Sequence, residues 1–137
     1  MEKKELTEMA KKRIVGFAAV CGLEINEVEP GYAAGQCPLK DELLNPYGFT
    51  HGGAVNTIMD TLGGTAAISS HDPLRYVVTR SADVHYLRPV MGSVMKGTAR
   101  VIRAGRQMCL VQAEVFDEEN RLCATGMLEF FYIDRGE

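Results

Sequence analysis

Residues 45–70 open as Asn45-Pro46-Tyr47-Gly48-Phe49-Thr50-His51-Gly52-Gly53 and continue as Ala54-Val55-Asn56-Thr57-Ile58-Met59-Asp60-Thr61-Leu62-Gly63-Gly64-Thr65-Ala66-Ala67-Ile68-Ser69-Ser70. The first half has the chemistry of a loop, with Pro46 and Gly48 as turn residues and Gly52-Gly53 as a permissive backbone. The second half repeats apolar residues at Val55, Ile58, Met59, Leu62 and Ala66, the spacing of a helix. These five residues fall within roughly 100° of arc. Another side carries Gly53, Asn56, Asp60, Gly63, Gly64 and Ala67. The bulky face calls for a sheet to cover it, and the small face gives room for a second backbone. Exposed helix faces are usually built of Lys, Glu, Gln or Arg, so Asp60 among glycines and alanines reads as a carboxylate in a crowded place.

Gly52-Gly53 at the helix start offers unpaired backbone N–H groups and the positive end of the helix dipole. A carbonyl oxygen turning negative during acyl transfer is stabilised at such a place. Asp60 stands eight residues beyond Gly52, roughly 12 Å along a helix. One helix therefore does not present both groups to one reacting atom. Two copies packed antiparallel through their small faces would, which points to a dimer with sites between subunits.

A chain of 137 residues suits one domain with a proper core, here residues 1–137. The 46% hydrophobic and 24% charged content is that of an ordinary globular protein, and a net charge of −3 gives no reason to expect nucleic-acid binding. No run of eighteen apolar residues exists to cross a membrane. The start, Met1-Glu2-Lys3-Lys4-Glu5-Leu6-Thr7-Glu8, is no secretory signal, so a cytoplasmic location is expected. Cys21, Cys37, Cys109 and Cys123 have no paired spacing and read as buried thiols. His51, His71 and His85 show no metal-ligand spacing, and no phosphate-binding or nucleophile-elbow motif is present. No metal and no cofactor are expected.

In chain order, Glu5 to Ala19 predicts one amphipathic helix, with Leu6, Met9, Ala10, Arg13, Ile14 and Phe17 giving the spacing. Cys21 to Glu29 and Gly31 to Leu39 predict a hairpin, and Lys40 to Leu44 a polar link. After His71-Asp72-Pro73 come strands over Arg75 to Leu87, Ser93 to Arg103, Gln107 to Phe116 and Leu122 to Ile133. Their hairpin spacing predicts that these last four are successive antiparallel neighbours. By period-two counting, Asp83 and His85 share a side of their strand with Thr79. The sum is an α+β fold, an antiparallel sheet wrapped around a central helix.

Asn45, His51-Gly52-Gly53, Asp60, Thr79, Tyr86-Leu87-Arg88-Pro89 and Gly105-Arg106, taken in that order, resemble the hotdog-fold acyl-CoA thioesterases of the phenylacetate-degradation type, within the 4-hydroxybenzoyl-CoA thioesterase superfamily. The resemblance covers nearly the whole chain and implies joined sheets in dimers that often pair into tetramers. It implies an acyl-CoA substrate, Asp60 as general base or nucleophile, and the Gly52 N–H on the thioester oxygen from the other subunit. Asn45 and His51 would orient the carbonyl or steady the departing thiolate, and Thr79 would help to place the water. Arg103 and Arg106 would meet the phosphates of CoA. Two other readings stand beside it: a hydratase or dehydratase of acyl thioesters, and a non-catalytic acyl-CoA binder. Aryl-acetyl, hydroxybenzoyl and medium-chain acyl groups all fit, on CoA or on a carrier protein.

Overall fold

The computed structural model describes residues 1–71 and 75–134 of the chain. Asp72 and Pro73 of the expected helix–strand break lie outside them. The elements run α1 (Lys3–Lys12), α2 (Gly16–Cys21), β1 (Glu24–Glu29), β2 (Tyr32–Pro38), a 3-10 turn (Asp41–Leu43), α3 (Gly52–Ser69), β3 (Tyr76–Tyr86), β4 (Val94–Ala104), β5 (Met108–Phe116) and β6 (Leu122–Ile133).

The expected helix from Glu5 to Ala19 is two helices. The N–H groups of Arg13 and Ile14 turn to the carbonyls of Ala10 and Lys11, which tightens the last turn of α1. Val15 is then extended and Gly16 takes φ +59°, a left-handed backbone that suits glycine. This break swings Phe17 and Val20 out to solvent, at 70% and 69% exposure, whereas Leu6 and Ala10 are buried. Thr7 fixes α1 to β1, its hydroxyl accepting from the Val28 N–H at 3.0 Å.

All strands pair antiparallel in one six-stranded sheet ordered β1-β2-β4-β5-β6-β3. The expectation of four successive neighbours therefore fails at β3, which pairs with β6 at one edge while β4 pairs with β2. The link over residues 87–93 does not turn back as a hairpin but carries the chain past β6 and β5 to β4, between β5 and β2. Its Val90 is buried and its carbonyl accepts from Thr50, and Glu118 in the β5–β6 turn accepts from the N–H and hydroxyl of Ser93. Two neighbouring loops thus hold the link away from β3.

A bulge between Thr79 and Ser81 also shifts the register of β3. Thr79 stands opposite buried Phe130, but Asp83 and His85 stand opposite Met127 and Thr125, which alternate to the other face. The extra residue reverses the parity, so Asp83 and His85 do not share a side with Thr79.

Helix α3 packs across one face of the sheet. Val55, Ile58, Met59, Leu62 and Ala66, the bulky face read from the sequence, are all buried. The helix sits close because glycines floor the sheet beneath it. Gly35 and Gly97 are register partners, and a Cβ on Gly97 would stand 2.8 Å from Leu62 Cδ1 and 3.2 Å from Ile58 Cδ1. A Cβ on Gly126 would stand 2.9 Å from Met59 Cε. The small face of α3 departs from expectation in its second half. Gly63, Gly64 and Ala67 are covered by the chain's own β3 and β6, since a Cβ on Gly63 would meet the Phe130 ring at 3.1 Å and Tyr132 donates to the Ala67 carbonyl at 2.6 Å. Those small residues make room for aromatic rings, not for a second helix.

Replacing Gly97 by Val puts a branched side chain under Leu62, and overpacking of this kind costs about 1–3 kcal/mol. Urea unfolding of Gly97→Val is expected to show a lower midpoint at unchanged slope, and an unchanged midpoint would refute the close seat of the helix.

Candidate functional site

Asn45 organises the loop before α3. Its Oδ1 accepts from the N–H groups of Tyr47 and Phe49 at 2.9 and 3.1 Å, and its own N–H donates to the Phe49 carbonyl at 2.7 Å. This side-chain turn is what an Asn followed by Pro46 and Gly48 favours. The loop delivers His51 to the N-cap of α3, where Nδ1 accepts from the Gly53 N–H at 2.8 Å. The Ala54 and Val55 N–H groups donate to the His51 carbonyl. The Gly52 N–H is left with no acceptor among the described residues. One donor at the positive end of the helix thus stays open.

Tyr86 of β3 sits against that glycine. Its ring would be 3.6 Å from a Cβ at position 52, and its hydroxyl donates to the Gly52 carbonyl at 3.3 Å. A methyl at 52 would already be in van der Waals contact with the ring. Asn45, Phe49, Gly52, Val55, Tyr86 and Arg88 line an open cleft of about 300 Å³. The Tyr86-Leu87-Arg88-Pro89 stretch was singled out in the sequence without a role for Tyr86. Its signal was an aromatic side chain on the strand face that meets the glycine, hidden by the bulge at Arg80.

Asp60 lies two helical turns on. The Thr79 hydroxyl donates to its Oδ1 at 2.6 Å, and Oδ2 has no partner among the described residues. Thr79 therefore holds the carboxylate directly. Its inward placement follows from standing opposite Phe130, before the bulge. The structure thus groups Asn45, His51 and Gly52 at one place and Asp60 with Thr79 at another.

Arg103 and Arg106 join neither group. Both are exposed at the β4–β5 turn, where the His71 ring lies 2.7 Å from the Gly105 carbonyl and Arg75 donates to the Arg106 carbonyl at 3.0 Å. His71 follows the C-terminal end of α3, so the turn stands at the opposite end of the helix from Gly52. The two arginines flank an open hollow of about 640 Å³ there.

The four cysteines are free and buried. Burial pushes the thiols of Cys37, Cys109 and Cys123 above the ordinary cysteine value. Among the described residues, no three His, Cys, Asp or Glu side chains gather as a metal ion would require, and no helix is long and apolar enough to cross a membrane.

Residues 47–124 match the family model of the Thioesterase superfamily. The proofreading thioesterase EntH of Klebsiella pneumoniae is 29% identical over 112 residues, covering 82% of each chain. The crystal structure of a thioesterase from Haemophilus influenzae superposes with a TM-score of 0.87 at 25% identity, covering 96% of this chain and 92% of that one. The PaaI protein from the phenylacetic acid degradation operon of E. coli shares the fold, with a TM-score of 0.84 at 21% identity over 93% and 91% of the two chains.

His51 as helix cap makes a separate, measurable prediction. Losing the acceptor in His51→Ala should cost about 0.5–2 kcal/mol of stability, while His51→Asn, which keeps an acceptor, should lose far less. Equal losses in urea unfolding would show that the ring does not act as a cap.

Proposed function

The chain belongs to the thioesterase superfamily, and on that premise we propose that it hydrolyses an acyl-CoA thioester to the free acid and CoA at a site shared by two subunits. One observation carries this reading: the open N–H of Gly52 and the hydroxyl-held carboxylate of Asp60 ride on the same helix, roughly 12 Å apart. A single thioester carbon cannot touch both groups of one chain. It can touch Gly52 of one chain and Asp60 of another if their helices run antiparallel. The placement of β3 supports such a pairing, because its edge away from β6 carries no strand among the described residues. An uncovered eleven-residue edge invites a second copy to continue the sheet.

In this arrangement the thioester carbonyl oxygen accepts from the Gly52 N–H. Asp60, fixed by Thr79 through Oδ1, takes a proton from water on Oδ2 as the water oxygen bonds to the thioester carbon. Negative charge gathers on the carbonyl oxygen, where the N–H and the helix dipole meet it; one such donor is worth about 2.7–4 kcal/mol. The carbon–sulfur bond then breaks, the acyl group leaves as the acid, and the CoA sulfur takes up a proton. Direct attack by Asp60 on the carbon, followed by hydrolysis of the anhydride, uses the same geometry. The Asn45 amide and the outward Nε2 of His51 lie beside Gly52, where they steady the carbonyl or the departing sulfur.

Arg103 and Arg106 are assigned to the CoA phosphates. Each stands at the far end of its own α3, the end that an antiparallel partner brings toward Gly52 of the other chain. The acyl group is aryl or medium-chain, and the cytoplasm, where CoA thioesters are made and used, is the expected setting.

Thiol release from a panel of aryl- and medium-chain acyl-CoA thioesters tests the reaction. Asp60→Asn should lower turnover by about 10²-fold or more, and a mutant as active as the wild type would end the assignment. Asp60→Ala and His51→Ala chains mixed in equal parts should regain about a quarter of wild-type activity, since half of the dimers are mixed and each has one intact site. Verified mixed dimers with no recovery would place each site within one chain.

A further inference from the structure

Gly52, Asn56 and Asp60 stand four residues apart on α3, each turned about 40° and raised about 6 Å from the last. Gly52 faces Tyr86 and Asp60 is held by Thr79, so α3 and β3 run antiparallel and Asn56 faces β3 between those contacts. In the single chain the Asn56 Oδ1 is shut off from solvent and meets no donor among the described residues. A buried carboxamide oxygen left without a donor is destabilising. In this rotamer the carboxamide is incomplete within the single chain. The stripe also borders β3, the strand whose outer edge carries no neighbour.

An isologous dimer pairs residue i of one chain with j of the other and j with i, and a position on the two-fold axis meets its own copy. Setting Gly52 of one helix against Asp60 of an antiparallel partner places that position halfway between them, at residue 56. We propose that Asn56 meets the partner subunit's Asn56 on the axis of the dimer. The two carboxamides then bond each other and fix the register of the shared site. A carboxamide carries both donor and acceptor, so each N–H can reach the oxygen of the other. Rotation about the Cα–Cβ bond brings Oδ1 out to that pair. A slip by one helical turn breaks both bonds and carries Asp60 about 5 Å from the carbon it serves. Buried Asn residues fix the register of paired helices in the same way, through the penalty for every other alignment.

This pairing rests on the shared-site reading, and one experiment separates their failures. Wild type and Asn56→Cys are sedimented, then the variant is oxidised and run without reductant. A disulfide-linked dimer is expected, because only a residue at the axis lies within the 4.4–6.8 Å Cα separation that a disulfide needs. Thr57→Cys, turned about 100° away on the helix, should remain unlinked. The native cysteines are buried and stay out of the reaction. A dimer in which Asn56→Cys does not link overturns the pairing alone, whereas a monomeric wild type overturns the shared site with it. A second pair of variants reads the same contact without oxidation. Asn56→Asp and Asn56→Lys should each weaken the dimer about tenfold by like charge at the axis, and an equal mixture should restore it. Equal dimer strength alone and in the mixture would overturn the proposal.

Discussion

The approach of α3 to its sheet is the constraint on which the other features rest. Gly35 and Gly97, side by side in register, and Gly126 two strands further on leave no side chain between the sheet and the helix. Leu62, Ile58 and Met59 fill that space directly. The helix is therefore held on its bulky side by close packing, and its other stripe is presented in a fixed orientation. Asp60 reaches Thr79, and Gly52 meets Tyr86, because the helix has no freedom to roll. A polar site built this way inherits its precision from an apolar contact on the opposite side of the same helix.

Much of this was legible in the sequence, because period and turn chemistry are local properties. The bulky face of α3 showed in five residues at helical spacing, and β6 was bounded correctly by the polar turn before Leu122. What local pattern cannot carry is partner choice. The seven residues 87–93 look like a hairpin connection, yet they cross the sheet and leave β3 beside β6. The break between α1 and α2 was concealed because Ile14 and Phe17 continue the apolar spacing across a backbone that Gly16 turns the other way.

Within the candidate site the same division holds. Asp60, Gly52 and His51 stood out because an acid, a pair of glycines and a histidine at a helix start are unusual in themselves. The hydrogen bond from Thr79 was out of reach, since it depends on which strand lies beside the helix and on the bulge that follows. That bulge also turned Asp83 and His85 away and brought Tyr86 in. Gly63 and Gly64 were read as room for another subunit and proved to be room for Phe130. Small residues announce a close neighbour without saying which one.

The buried thiols have a consequence of another kind. Hydrolysis of a thioester sets free a thiol, in the presence of whatever disulfide the surroundings contain. Thiol–disulfide exchange proceeds through the thiolate and needs an accessible sulfur. Cys37 lies in the core, Cys109 and Cys123 lie almost fully buried at the walls of the two hollows, and burial pushes all three thiols above the ordinary cysteine value. Thiols buried in this way are poor partners for exchange beside a thiol product.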